Sequence, residues 1–213
     1  LITMYNKCGD IQEAKNAFGI VEQRNVISWN ALIAACVDHG QLDVALCLFK
    51  QMNVEGTLPD SVTFLAILPI LSTLVDAKQC HAFLVGSDID PQISIGTSVI
   101  HMYGKCGFLV KSREAFEALL LRDAVSRNAL MSGYAQMGEA KIVLELFRQM
   151  RVEKVEQNVV TLLVLLTSCS HAGLVEEGQF IFYDMCFIYS LYPSLEHYTC
   201  MVDLFGRSGQ LDK

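Results

Sequence analysis

Four prolines, one tryptophan and a charged fraction of 18% are little for 213 residues. With 52% of residues apolar, that scarcity excludes disordered, collagenous and Pro-rich chains. Long apolar runs are missing as well. The stretch 64–75 is interrupted by Pro69 and the stretch 159–167 is closed by Ser168, so neither approaches the ~20 residues of a spanning helix, and no membrane partner is expected. Basic charge is in deficit. Sixteen Lys and Arg against 23 Asp and Glu leave a net charge of −7, which excludes a polybasic binder acting on nucleic acid by charge alone. CxxC pairs are absent, although Cys occurs at 8, 36, 47, 80, 106, 169, 186 and 200, mostly inside helical patterns. Buried free thiols are the reading. Cys80–His81 and Cys169 with His171 lack the second half that a zinc site needs. No HxE with PCxxC, HExxH, GxSxG or glycine-rich phosphate loop is found, so neither catalysis nor a cofactor is expected. The chain starts at Leu1 within a helical pattern and without Met, so a preceding segment is expected.

A repeat is what the sequence does have. MYNKCG at 4–9 returns as MYGKCG at 102–107, with weaker copies at 35–40, 133–138, 168–173 and 204–209. Their final glycines, at 9, 40, 107, 138, 173 and 209, are separated by 31, 67, 31, 35 and 36 residues. Phe18, Phe49, Phe116, Phe147 and Phe182 keep the same uneven rhythm, with gaps of 31, 67, 31 and 35. The gap of 67 reads as two units, one of them lacking the glycine. Within a unit, residues 30–38 carry apolar side chains at helical spacing, and Gly40 can end that helix in the left-handed conformation. Leu42, Ala45, Leu46, Phe49 and Met52 then continue a second amphipathic helix, which Gly56 and Pro59 end. One such hairpin cannot bury its apolar faces alone. The expected fold is therefore all-α, a right-handed α-solenoid of stacked helix-turn-helix hairpins.

Several segments carry a family resemblance: RNVISWNALI at 24–33, LFKQM at 48–52, IHMYGKCG at 100–107, CSHAGLVEEG at 169–178 and LEHYTCMVDL at 195–204. The chain resembles plant organellar pentatricopeptide repeat proteins of the subclass that mixes standard, long and short motifs. The resemblance divides it into units 1–25 (partial), 26–60, 61–92, 93–123, 124–158, 159–194 and 195–213 (partial). Unit 61–92 departs from the pattern, being about three residues short, with Val75 where a turn glycine is expected. Arg127 stands where the aromatic Trp29 stands in unit 26–60.

The resemblance implies sequence-specific binding of single-stranded organellar RNA, in a mitochondrion or chloroplast, with a role in RNA processing or C-to-U editing. Editing factors or a deaminase would then be supplied in trans. Bases are read by the fifth and last residues of a unit, here Asn30 with Asp60, Thr97 with Asp123, and Asn128 with Asn158. The family's code assigns U, G, and C or U to these combinations. The long units offer Leu65 with Gln92 and Leu163 with Ser194, whose apolar first members cannot hydrogen-bond a base. Base-wedging side chains at the second position are Ile27, Ser94 and Val125. A short Asn or Asp beside a helix start is also a natural cap, and both roles are open at Asp60. Two rival readings remain beside RNA binding: a protein- or peptide-binding helical-repeat scaffold, which the net charge favours, and a truncated array without function.

Overall fold

The computed structural model describes residues 1–87, 89 and 93–209. Gln92 and the last four residues of unit 195–213 lie outside them. All regular structure among the described residues is helical. In chain order the α-helices are α1 (Ile2–Lys7), α2 (Ile11–Gly19), α3 (Val26–Asp38), α4 (Leu42–Val54), α5 (Ser61–Ile67), α6 (Leu74–Val85), α7 (Ile93–Lys105), α8 (Leu109–Glu117), α9 (Ala124–Gln136), α10 (Ala140–Val152), α11 (Val159–Ala172), α12 (Val175–Phe187) and α13 (Leu195–Arg207). A single 3-10 turn, Leu68–Ile70, extends α5 where Pro69 cannot continue an α-helix. Among the described residues no helix is long and apolar enough to cross a membrane.

Helix α3 begins four residues before the start that its apolar spacing suggests. The reason is local. Asn25 accepts from the Ser28 N–H at 2.9 Å, and Ser28 Oγ accepts from the Asn25 N–H at 3.0 Å, a reciprocal cap that opens the helix at Val26. At the other end Gly40 adopts φ +71° and returns its N–H to Val37 O at 3.0 Å. Only a residue tolerant of the left-handed region makes so tight a turn into α4 cheaply.

Contacts divide the chain into two compact units, Leu1–Ser98 and Val99–Lys213. In the first, Trp29, Leu32, Ile33, Phe49, Met52, Phe64 and Ile67 form the core. Phe18 meets Trp29 edge-on at 4.7 Å, and Phe49 meets Phe64 at 6.0 Å. In the second, one continuous cluster gathers Phe116, Leu130, Met131, Phe147, Met150, Leu165, Met185 and Leu204. Fully burying side chains of this size contributes about 1.5–3 kcal/mol each, and it is stacking between hairpins that buries them.

The phenylalanine ruler is the eighth residue of the second helix in each hairpin, at 18, 49, 116, 147 and 182. Four of the five rings are buried, whereas Phe182 is half-buried and packs edge-on against Tyr198 at 5.5 Å. The eighth residue of α6 is His81, which accounts for the missing mark. Helices α7 and α9 approach so closely that a Cβ placed on Gly133 would stand 2.8 Å from Gly104 Cα.

Candidate functional site

The residues that open the first helices are Asn25, Asp60, Asp123, Asn158 and Ser194. Each lies in an extended conformation at an N-cap, and in the first four the short polar side chain accepts from an N–H that the helix cannot satisfy. Capping holds such a side chain in one place. The fifth residues sit one turn into the preceding first helices, and the two sets meet in two places.

In the first meeting place Asn30 Nδ2 donates to Asp60 Oδ1 at 2.8 Å. Asp60 Oδ1 also accepts from the Thr63 N–H at 2.9 Å, and Thr63 Oγ1 donates to Asn30 Oδ1 at 2.6 Å. Burial alone would raise the Asp60 carboxyl, but hydrogen bonds from the Thr63 backbone, the Asn30 amide and the Thr63 hydroxyl hold it below the usual carboxylate range. Asp60 is therefore ionised near neutral pH and acts only as an acceptor. Its capping contribution is present above the unfolded-state value and is lost as pH falls through the lowered folded-state value.

In the second meeting place Asn128 Nδ2 donates to Asn158 Oδ1 at 3.2 Å, and that oxygen accepts from the Thr161 N–H at 3.0 Å and the Thr161 hydroxyl at 3.1 Å. Asn128 is 5% exposed, and its carbonyl oxygen is buried without a hydrogen-bond partner among the described residues. Thr97 Oγ1 is likewise buried and unpartnered among them, while Asp123 is exposed and accepts from the Ser126 N–H at 2.8 Å. Leu65 is 37% exposed, Leu163 is half-buried and Ser194 is exposed.

Ile27 and Val125 project into solvent, 73% and 58% exposed, and Ser94 is exposed too. Val62 and Val160, which the sequence reading passed over, occupy the same second position and are exposed in the same way. The second position is thus exposed at 27, 62 and 94 in the first compact unit and at 125 and 160 in the second. The threonines Thr63 and Thr161 were also passed over. Their signal was legible, because a Ser or Thr follows the capping residue by three at 28, 63, 126 and 161.

Several basic side chains are engaged. Lys50 pairs with Asp76 at 3.0 Å, Lys111 with Glu114 at 2.6 Å, Arg148 with Glu145 at 3.4 Å and Arg207 with Asp203 at 2.9 Å. Arg127, 6% exposed, pairs with Glu153, and its guanidinium lies 5.7 Å from the Phe116 ring centroid. Arg24 covers Phe18 at 4.8 Å and reaches Glu55 at 3.0 Å. An arginine lid over the ruler phenylalanine explains how Arg127 can replace the aromatic.

All eight cysteines are free thiols, and no three of the described His, Cys, Asp and Glu side chains converge as metal ligands. Burial, reinforced by the Asp76 charge, pushes Cys80 up to about 12. Burial with the Glu177 charge does the same for Cys169. Both thiols should resist alkylation at pH 8 in the native protein, whereas exposed Cys8 and Cys47 react. Mass spectrometry after timed labelling checks this. Early modification of Cys80 or Cys169 would contradict the packing described.

Residues 24–71 match the sequence profile of the PPR repeat family, and 125–155 and 160–187 each match the PPR repeat, together just over half of the chain. A chloroplastic pentatricopeptide repeat-containing protein of Arabidopsis thaliana is 39% identical over 212 residues, which are 98% of this chain and 26% of that protein. A second, also chloroplastic, is 36% identical over 216 residues, 100% of this chain and 27% of that one. The chain spans about a quarter of the length of these curated relatives. Among solved structures, PPR10 in complex with an 18-nt psaJ RNA element superposes with a TM-score of 0.80 at 18% identity, covering 99% of this chain and 32% of that one. A second structure, of PPR10 from maize, gives 0.70 at 17% identity, covering 99% and 36%. At such identity the likeness is one of fold, an all-helical repeat array.

Proposed function

Because the chain belongs to the pentatricopeptide repeat family, we propose that it binds single-stranded RNA and reads it one base per unit through Asn30 with Asp60, Thr97 with Asp123, and Asn128 with Asn158. The observation that carries the proposal is the pairing of fifth and last residues by hydrogen bonds at two places in phase with the repeat. Single strands leave base edges free for such side chains, and small polar pairs repeated along an array give a modular code. Ile27, Ser94 and Val125, each exposed at the second position of its repeat, are side chains that can separate successive bases. Over units 26–158 the strand is read as U, an unspecified base, G, and C or U, running 5′ to 3′.

The chain acts as an address rather than a catalyst. It belongs to the mixed-motif subclass, resides in a chloroplast or mitochondrion, and directs RNA processing or C-to-U editing whose chemistry other factors perform. The chloroplastic relatives support the organelle. Affinity depends only shallowly on salt, since Lys50, Lys111, Arg148 and Arg207 already have carboxylate partners.

Selection from a randomised RNA pool tests this reading. Wild-type protein should enrich the pattern above and prefer single strands over duplex. Asn30→Thr, which keeps Asp60, should move the first preference from U to G by about 1–3 kcal/mol. Lower affinity without any change of preference would make Asn30 structural. Equal binding to duplex, or capture of peptides with none of RNA, would favour the scaffold reading that the net charge of −7 suggests.

A further inference from the structure

The second helices of the hairpins share an outward register. Their sixth residues are Asn16, Cys47, Gln79, Glu114, Glu145 and Phe180, and their ninth are Gly19, Lys50, Ala82, Glu117, Arg148 and Tyr183. All of these are exposed. Helices α4 and α10 expose theirs although another hairpin packs after each, so stacking does not cover these positions. Only α12 places aromatic rings there. Phe187, its thirteenth residue, extends the pair into a stripe. Phe180 and Phe187 are each 70% exposed and Tyr183 is 57% exposed, and the Tyr183 and Phe187 ring centroids lie 4.6 Å apart.

Packing within the array explains the direction of this stripe but not its composition. Ile181 and Met185 belong to the core, and a Cβ placed on Gly178 would stand 3.5 Å from Cys169 Cβ in α11. Phe180, Tyr183 and Phe187, at i, i+3 and i+7, therefore lie on the side of α12 turned away from α11, whose start holds Asn158. Rings gathered in water mark an interaction surface. Its charge is of one sign. Glu177 and Asp184, seven residues apart, follow one side of the stripe, and Glu176 stands at its N-terminal end. Between Lys154 and Arg207 the sequence contains no Lys or Arg. The other side, at Gln179 and Cys186, is uncharged. There a hollow of about 270 Å³ opens, lined by Cys186, Leu191, Tyr192 and Pro193 among others.

We propose that the stripe on α12 docks a basic amphipathic helix of another protein, with apolar side chains at i, i+3 or i+4, and i+7 and with Lys or Arg beside them. The three rings offer anchors at the matching spacing, the hollow takes one further apolar side chain, and the carboxylates face the cations. The same charge disfavours other occupants. A second copy would set carboxylate against carboxylate, and the phosphates of RNA or of an anionic lipid would meet no cation. The site does not depend on base reading. A helix held on the side away from α11 leaves Asn128 and Asn158 uncovered, so that partner and RNA bind together.

The test uses the 213-residue chain and three fluorescein-labelled peptides of about 18 residues, long enough to form a helix. The first carries Leu anchors at that spacing between Lys and Arg, the second has Glu for every cation, and the third scrambles the first. Anisotropy titrations should show the first binding at least about tenfold more tightly than the other two. Phe180→Glu with Tyr183→Arg installs the residues that α10 carries at these positions. This double variant should keep helical signal and RNA affinity and weaken the first peptide about tenfold. Glu177→Lys with Asp184→Lys should weaken it too and let the Glu peptide bind instead. If the double variant loses helical signal, Phe187→Ser, a single change at an exposed ring, takes its place with the same expectation. Binding of the first peptide no tighter than the scrambled one overturns the proposal, and so does undiminished binding by the folded variants. A wild-type dimer in sedimentation that the double variant dissolves would assign the stripe to a second copy. Loss of RNA affinity with helical signal retained would assign it to nucleic acid. Either result overturns the partner helix.

Discussion

Replacing Phe147 by alanine is expected to cost about 3–5 kcal/mol, a large part of the ~5–15 kcal/mol that holds a typical domain folded. The ring is buried in the cluster that also holds Leu130, Met150, Leu165 and Met185. Leu130, Leu165 and Met185 come from helices before and after α10, so truncation opens a cavity that no single hairpin can close. In a nearest-neighbour array the loss should be local. Denaturant midpoints give the size of the effect. Hydrogen exchange gives its place, with faster exchange in α9 to α12 and little change in α3 and α4. Phe182→Ala should cost clearly less, because its ring is only half-buried. Equal losses at the two positions would contradict the difference in burial between the two rings.

Gly133→Ala is expected to destabilise the protein by about 3 kcal/mol, the upper end for overpacking. Two effects compete there. Alanine is the better helix former by about 1 kcal/mol, which taken alone predicts a gain. The added Cβ, however, would lie 2.8 Å from Gly104 Cα and 3.6 Å from Gly104 C. Backbone of a neighbouring helix cannot swing aside as a side-chain tip can, so the clash prevails. Gly19→Ala is the control. It lies at the end of α2 with no atom within 4 Å of its would-be Cβ, and it should be neutral or stabilising. Thermal melts of the two variants decide the matter, and a Gly133→Ala protein as stable as wild type would mean that α7 and α9 are not in backbone contact.

The hairpins were legible because period, glycine and phenylalanine agree at every unit except one. In that exception the sequence showed Pro69 and an absent turn glycine, and the helix does yield there to a 3-10 turn. The start of α3 was less legible, since apolar spacing cannot see a helix turn whose residues are held by the Asn25 and Ser28 cap. Arg127 looked anomalous because a sequence does not display Glu153 and Phe116 beside it. The fifth and last residues could be located by the family resemblance, but their hydrogen-bond partners could not. The Thr63 hydroxyl, for one, lies within hydrogen-bond reach of both Asn30 Oδ1 and Asp60 Oδ1. The close approach of Gly104 and Gly133 was invisible for the same reason, because it depends on how two helices cross rather than on either segment.

Residues 60, 123 and 158 each open a helix. A mutation at any of them is therefore filtered twice, first by the helix and only then by whatever strand is bound. Only Asn, Asp, Ser, Thr and Gly serve well at such a position, and an aliphatic replacement forfeits about 1 kcal/mol before any ligand is met. The vocabulary open to these positions during evolution, or to an engineer rewriting them, is thus about five letters rather than twenty. Residues 30, 97 and 128 stand inside their helices and carry no capping duty, so a change of specificity has more room to begin there.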